Sequence, residues 1–88
     1  MRAIVCRELG PLSALRLEEV AEPCLGPGQI RIGIKAAGIN FPDILTVEGV
    51  YQHKPPLPFI VGFEIAGEVL EVADDVRSFE TGDRVIAG

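Results

Sequence analysis

Apolar and polar positions alternate with period two along much of this chain. Ile30, Ile32, Ile34 and Ala36 fall on one side, and Arg31, Gly33, Lys35 and Ala37 on the other. Successive side chains of an extended strand point to opposite faces, so this stretch predicts a half-buried strand. Residues 2–8 predict a second, with Ile4 and Cys6 on one face and Val5 and Arg7 on the other. A third, over about 14–20, places Leu15 and Leu17 together; its alternation breaks at Glu18-Glu19-Val20, which predicts a bulge or an early end. Ile65 to Val72 and Arg84 to Ala87 read as two more strands.

Turn-forming residues separate these runs. Leu9-Gly10-Pro11 lies between the runs at 2–8 and 14–20, and Glu22-Pro23-Cys24-Leu25-Gly26-Pro27-Gly28 leads into the run that starts at Ile30. Residues 42–49 carry a different pattern. Pro42 suits the first helical position, Asp43 suits the positive end of the helix dipole, and Gly49 suits a C-terminal stop. A helix of about two turns is expected there. Ile44, Thr46 and Val47 are β-branched, so tertiary packing has to hold it. The Pro-rich stretch 51–59 excludes a regular helix or central strand and predicts an extended loop. Short strands, frequent turns and one short helix together predict a mainly β, barrel-like domain.

Composition narrows the function classes. With 88 residues the ceiling is one domain, spanning 1–88. Hydrophobic residues make up 48% and charged residues 24%, which argues against a disordered chain. The formal net charge of −5 argues against a phosphate-tracking nucleic-acid surface, so no nucleic-acid partner is expected. The apolar stretch near the start is too short for a signal-peptide core, and nothing approaches a membrane span. Cys6 and Cys24 form no CxxC pair and fit two free thiols in a reducing compartment. A cytoplasmic protein with no membrane partner is the expectation. The apolar end at Val85-Ile86-Ala87-Gly88 reads as an interrupted strand of a longer chain.

No GxGxxG turn, phosphate-binding GxxxxGK[ST] loop or HExxH motif is present. The chain is therefore expected to lack its own nucleotide-binding βαβ unit. Cys6, Cys24 and His53 lack the converging spacing of a metal site, so no metal is expected. Among single residues, Asn40 reads as the cap of the helix at Pro42, and Asp43 as a dipole partner or local hydrogen-bond acceptor rather than a general base. Glu64 reads as a structural charge, His53 as an exposed titrating side chain, and Cys6 as a small core residue. Pro55 and Pro58 formally satisfy PxxP, as any Pro-rich loop does.

Three runs in order carry a family resemblance. They are Ala36-Ala37-Gly38-Ile39-Asn40-Phe41-Pro42-Asp43 with Gly49-Val50-Tyr51, then Pro56-Leu57-Pro58-Phe59-Ile60-Val61-Gly62-Phe63-Glu64-Ile65-Ala66-Gly67-Glu68-Val69, then Phe79-Glu80-Thr81-Gly82-Asp83-Arg84-Val85. Together they resemble the N-terminal GroES-like part of medium-chain dehydrogenases/reductases, in the zinc-free quinone oxidoreductase branch related to zeta-crystallin. The resemblance covers essentially the whole chain. It implies a GroES-like, partly open β-barrel with one short helix at about 42–49. Where zinc-dependent members carry a Cys and a His ligand, this chain has Asn40 and Phe63.

The implied activity is NADPH-dependent hydride transfer, without zinc, to a quinone or another α,β-unsaturated carbonyl. Such acceptors develop charge on an oxygen and need one or two placed hydrogen-bond donors. Tyr51 and Asn40 are the implied catalytic residues, and Asn40, Phe41 and Tyr51 the implied contacts to NADPH, whose main site lies in a domain absent from these 88 residues. Tyr51 also reads as a loop-anchoring aromatic. The resemblance is compatible with a homodimer of the longer protein. Two alternatives remain at this point: an enoyl-thioester reductase of the same superfamily, and a stand-alone GroES-like interaction module.

Overall fold

A computed structural model describes residues 1–88, in the order β1 (Arg2–Cys6), a 3-10 turn at Leu12–Ala14, β2 (Arg16–Glu19), β3 (Ile30–Gly38), α1 (Phe41–Glu48), β4 (Phe59–Ile60), β5 (Glu64–Val72) and β6 (Arg84–Ala87). The strands make two three-stranded antiparallel sheets, β2-β1-β4 and β3-β5-β6. Neither sheet closes into a full barrel, in agreement with the partly open β architecture expected. The chain divides into two compact units, residues 1–22 with 39–63, and residues 23–38 with 64–88.

In the first unit, β1 is the central strand. Ile4 pairs with Leu17 of β2, and Val5 pairs with both Arg16 of β2 and Ile60 of β4. Val5, Cys6 and Val47 are the buried apolar side chains of this unit. Cys6 is thus the core residue expected. Leu17 and Ile4 are exposed. β2 ends at Glu19, so the break in its pattern is an early end rather than a bulge. The loop expected over 51–59 runs into β4, a two-residue strand that the pattern did not mark.

Arg7 clamps Glu18 through two parallel hydrogen bonds, Nε to Oε2 at 2.8 Å and Nη2 to Oε1 at 2.6 Å. The hydrogen bonds from Arg7 hold the Glu18 carboxyl below the usual carboxylate range. Because the folded value is depressed, the pair stabilises the fold above the ordinary Glu value and loses that contribution as pH falls through the lowered one. An NMR titration should find Glu18 below the ordinary glutamate value, and Arg7→Gln should return it toward that value. A wild-type Glu18 that titrates at the ordinary value means the clamp does not persist in solution.

In the second unit, β3 and β5 form a long ladder that runs from Ile30 opposite Val72 to Gly38 opposite Glu64. Two register shifts, at Arg31/Ile32 and Ile34/Ala36, interrupt it. These irregularities rotate side chains off strict alternation, and Ile34 is 60% exposed despite its place in the apolar stripe. Val69 is fully buried and Gly67 is buried beside it. Gly67 lies so close to β3 that an added Cβ would collide with the Gly33 carbonyl oxygen.

Candidate functional site

The site is built at the two ends of α1. Asn40 is the N-cap, in extended backbone, and its N–H donates to Asp43 Oδ2 at 2.7 Å. That contact uses up one of the helix's orphan donors, as a capping box does. Thr46 Oγ1 donates back to the Pro42 carbonyl at 2.7 Å. At the other end Gly49 takes φ +81°, the left-handed conformation that ends a helix and favours glycine. Its N–H reaches the Thr46 carbonyl at 3.1 Å, Val50 N–H reaches Leu45 at 3.0 Å, and Gly10 N–H accounts for the Val47 carbonyl at 2.9 Å. A helix of eight residues is marginal by itself. Here both ends are tied and the face formed by Asp43, Thr46 and Val47 is buried. The helix begins at Phe41, one residue earlier than Pro42 suggested, so the proline occupies its second position.

This geometry carries the chain from Asn40, over the helix and its Gly49 stop, to Tyr51. Asn40 and Tyr51 line one cavity of ≈ 390 Å³ together with Pro42, His53 and Phe63. Phe41 does not line it; its ring is 69% exposed on the first turn of α1. Asp43 is buried, and its second carboxylate oxygen, Oδ1, has no hydrogen-bond partner. Glu64 lies at the start of β5, and its side chain covers Gly38 of β3.

Sequence reasoning left two residues of this cavity unassigned. The rings of His53 and Phe63 meet at 6.0 Å between centroids, tilted by 60°. The sequence marks Phe63 as a replacement at a zinc-ligand position and His53 as an exposed loop side chain. They lie ten positions apart in sequence, and nothing in the Pro-rich loop between them signals that they meet.

The donor set does not fit zinc. Asn40 offers an amide and Phe63 an apolar ring, and no three His, Cys, Asp or Glu side chains converge. No helix is long and apolar enough to cross a membrane. Both cysteines are free, Cys6 buried and Cys24 exposed.

The alcohol dehydrogenase GroES-like domain model matches residues 26–88. The chain belongs to this family. Within it, relatives named quinone oxidoreductases are prominent. The mouse "quinone oxidoreductase-like protein 2" is 47% identical over 97% of this chain, which corresponds to 24% of the mouse protein. The Escherichia coli quinone oxidoreductase, solved in complex with NADPH, superposes with a TM-score of 0.91 at 32% identity, over 98% of this chain and 26% of that one. The human synaptic vesicle membrane protein VAT-1 homolog-like protein gives a TM-score of 0.92 at 40% identity, over 98% of this chain and 27% of that one. The chain is thus a GroES-like domain of the zinc-free quinone oxidoreductase branch, and it spans about a quarter of the length of the relatives it matches.

Proposed function

We propose that this domain supplies the acceptor-facing side of an NADPH-dependent quinone or enone reductase that works without zinc. The observation that carries the reading is the shared cavity of Asn40 and Tyr51, brought together from opposite ends of α1. NADPH supplies the hydride when bound. The chain's own residues do the rest: the Tyr51 hydroxyl and the Asn40 amide N–H donate to the oxygen on which negative charge develops. Two donors fixed in advance stabilise that charge without reorganising during the reaction. The exposed ring of Phe41, with Asn40 and Tyr51, offers a surface for the nicotinamide end. The free thiol of exposed Cys24 supports a reducing, cytoplasmic setting.

The fit to NADPH is partial. The elements are strands, one 3-10 turn and an eight-residue helix, with no Gly-rich strand–turn–helix to cradle a pyrophosphate. The 88-residue chain alone should therefore show no reductase activity and bind NADPH only weakly. Micromolar affinity by calorimetry would contradict this assignment of labour. For the full-length protein, NADPH oxidation should be followed with a panel of quinones, enones and enoyl thioesters. Turnover of quinones or enones is the expected result, and turnover of thioesters alone would replace the substrate class.

A further inference from the structure

Asp43 also borders a second cavity, of ≈ 220 Å³, with Thr46, His53, Phe59, Val61 and Phe63 among its other walls. The two oxygens of this carboxylate are in different situations. Oδ2 accepts from Asn40 N–H, whereas Oδ1 is buried with no partner. The neighbouring Thr46 hydroxyl cannot serve Oδ1 with its proton, which goes to the Pro42 carbonyl. A buried acceptor left unmatched is costly, so such atoms mark places where a donor belongs. His53 and Phe63 line both this cavity and the one that holds Asn40 and Tyr51. This aromatic pair is therefore a wall common to both. Both residues are exposed, and exposed side chains change rotamer quickly.

We propose that the Asp43 cavity recognises a hydroxyl group, taking one O–H of a small aromatic donor such as a hydroquinone against Oδ1. A carboxylate oxygen accepts and does not donate. A quinone offers only acceptors, whereas its reduced form offers two O–H donors on an apolar ring. Phe59, Val61 and Phe63 suit that ring, and one carboxylate oxygen suits one hydroxyl through a charge-assisted bond. A hydrated cation fits less well, because it would trade its water shell for mostly apolar walls. The site thus separates the reduced from the oxidised form of the substrate. The choice of ligand rests on the reductase reading; the orphan oxygen does not.

Equilibrium binding to the full-length protein, without nucleotide and under anaerobic conditions, tests this apart from turnover. Hydroquinone should bind at least about tenfold tighter than its dimethyl ether, which keeps the ring and lacks the donors. Asp43→Asn retains an acceptor for Asn40 N–H and turns an N–H2 toward the cavity, so the preference should fall below about threefold. Val61→Phe enlarges an apolar side chain of the same cavity wall and should weaken hydroquinone by about tenfold. Equal binding of hydroquinone and ether overturns the proposal, as does an unchanged preference in Asp43→Asn. If Asp43→Asn does not fold, undiminished hydroquinone binding in Val61→Phe overturns it instead. A protein that turns over no quinone refutes the reductase reading, while the hydroquinone-to-ether ratio still decides the Asp43 site.

Discussion

Tyr51→Phe in the full-length protein should lower quinone turnover by about 10- to 100-fold, with little change in stability. The phenylalanine keeps the ring and removes only the hydroxyl. Deleting one donor to a developing oxyanion costs about 100- to 1000-fold where the donor is the main one. The effect here should be smaller, because Asn40 shares the load and the acceptor is already activated. Asn40→Ala should act in the same direction. The backbone N–H of Asn40, not its side chain, donates to Asp43, so that contact to the helix start survives the change. Steady-state kinetics on both variants decide the assignment. If neither variant moves kcat by more than about threefold, the groups contribute under ~0.7 kcal/mol to the transition state and the site has been placed wrongly.

Gly67→Ala should be among the most destabilising single substitutions in the domain, costing about 3 kcal/mol. The new methyl group would meet the Gly33 carbonyl oxygen at 2.3 Å and Ile32 Cγ2 at 2.8 Å. The first of these is backbone held in the β3–β5 ladder, so it cannot yield without breaking the pairing. Gly33→Ala is the internal control. The nearest atoms to its methyl group would belong to the Leu70 side chain, at 3.1 Å, and Leu70 is 54% exposed and free to turn away. Chemical denaturation should find Gly33→Ala within about 1 kcal/mol of wild type. Equal losses in the two variants would show that the sheet yields at Gly67 as readily as a side chain does.

Much of the architecture was legible because its determinants are local. Pro42, Asp43 and Gly49 bracket α1 to within one residue, since a cap and a stop depend only on neighbours in the chain. β6 matches its expected span, and β5 begins one residue early. What was missed depends on partners far away in sequence. Phe59 and Ile60 form a strand only because Cys6 and Val5 pair with them. Ile34 is exposed where β3 carries an extra residue, Lys35, against β5, an irregularity that only the pairing reveals. The site divides in the same way. Asn40 and Tyr51 could be singled out from their motifs. The meeting of His53 with Phe63 and the isolation of Asp43 Oδ1 arise from folding, and no spacing in the chain encodes them.

The close approach at Gly67 also explains how the longest ladder in the domain chooses its alignment. Sliding β5 by two residues would keep every side chain on its own face, so hydrophobic patterning alone does not forbid it. Such a slip would bring Ile65 or Val69 up to the Gly33 carbonyl, where not even a methyl group fits. Gly67 is the only residue of Glu64–Val72 without a Cβ. The missing side chain works as the notch of a key: the two strands have one alignment in which they can close.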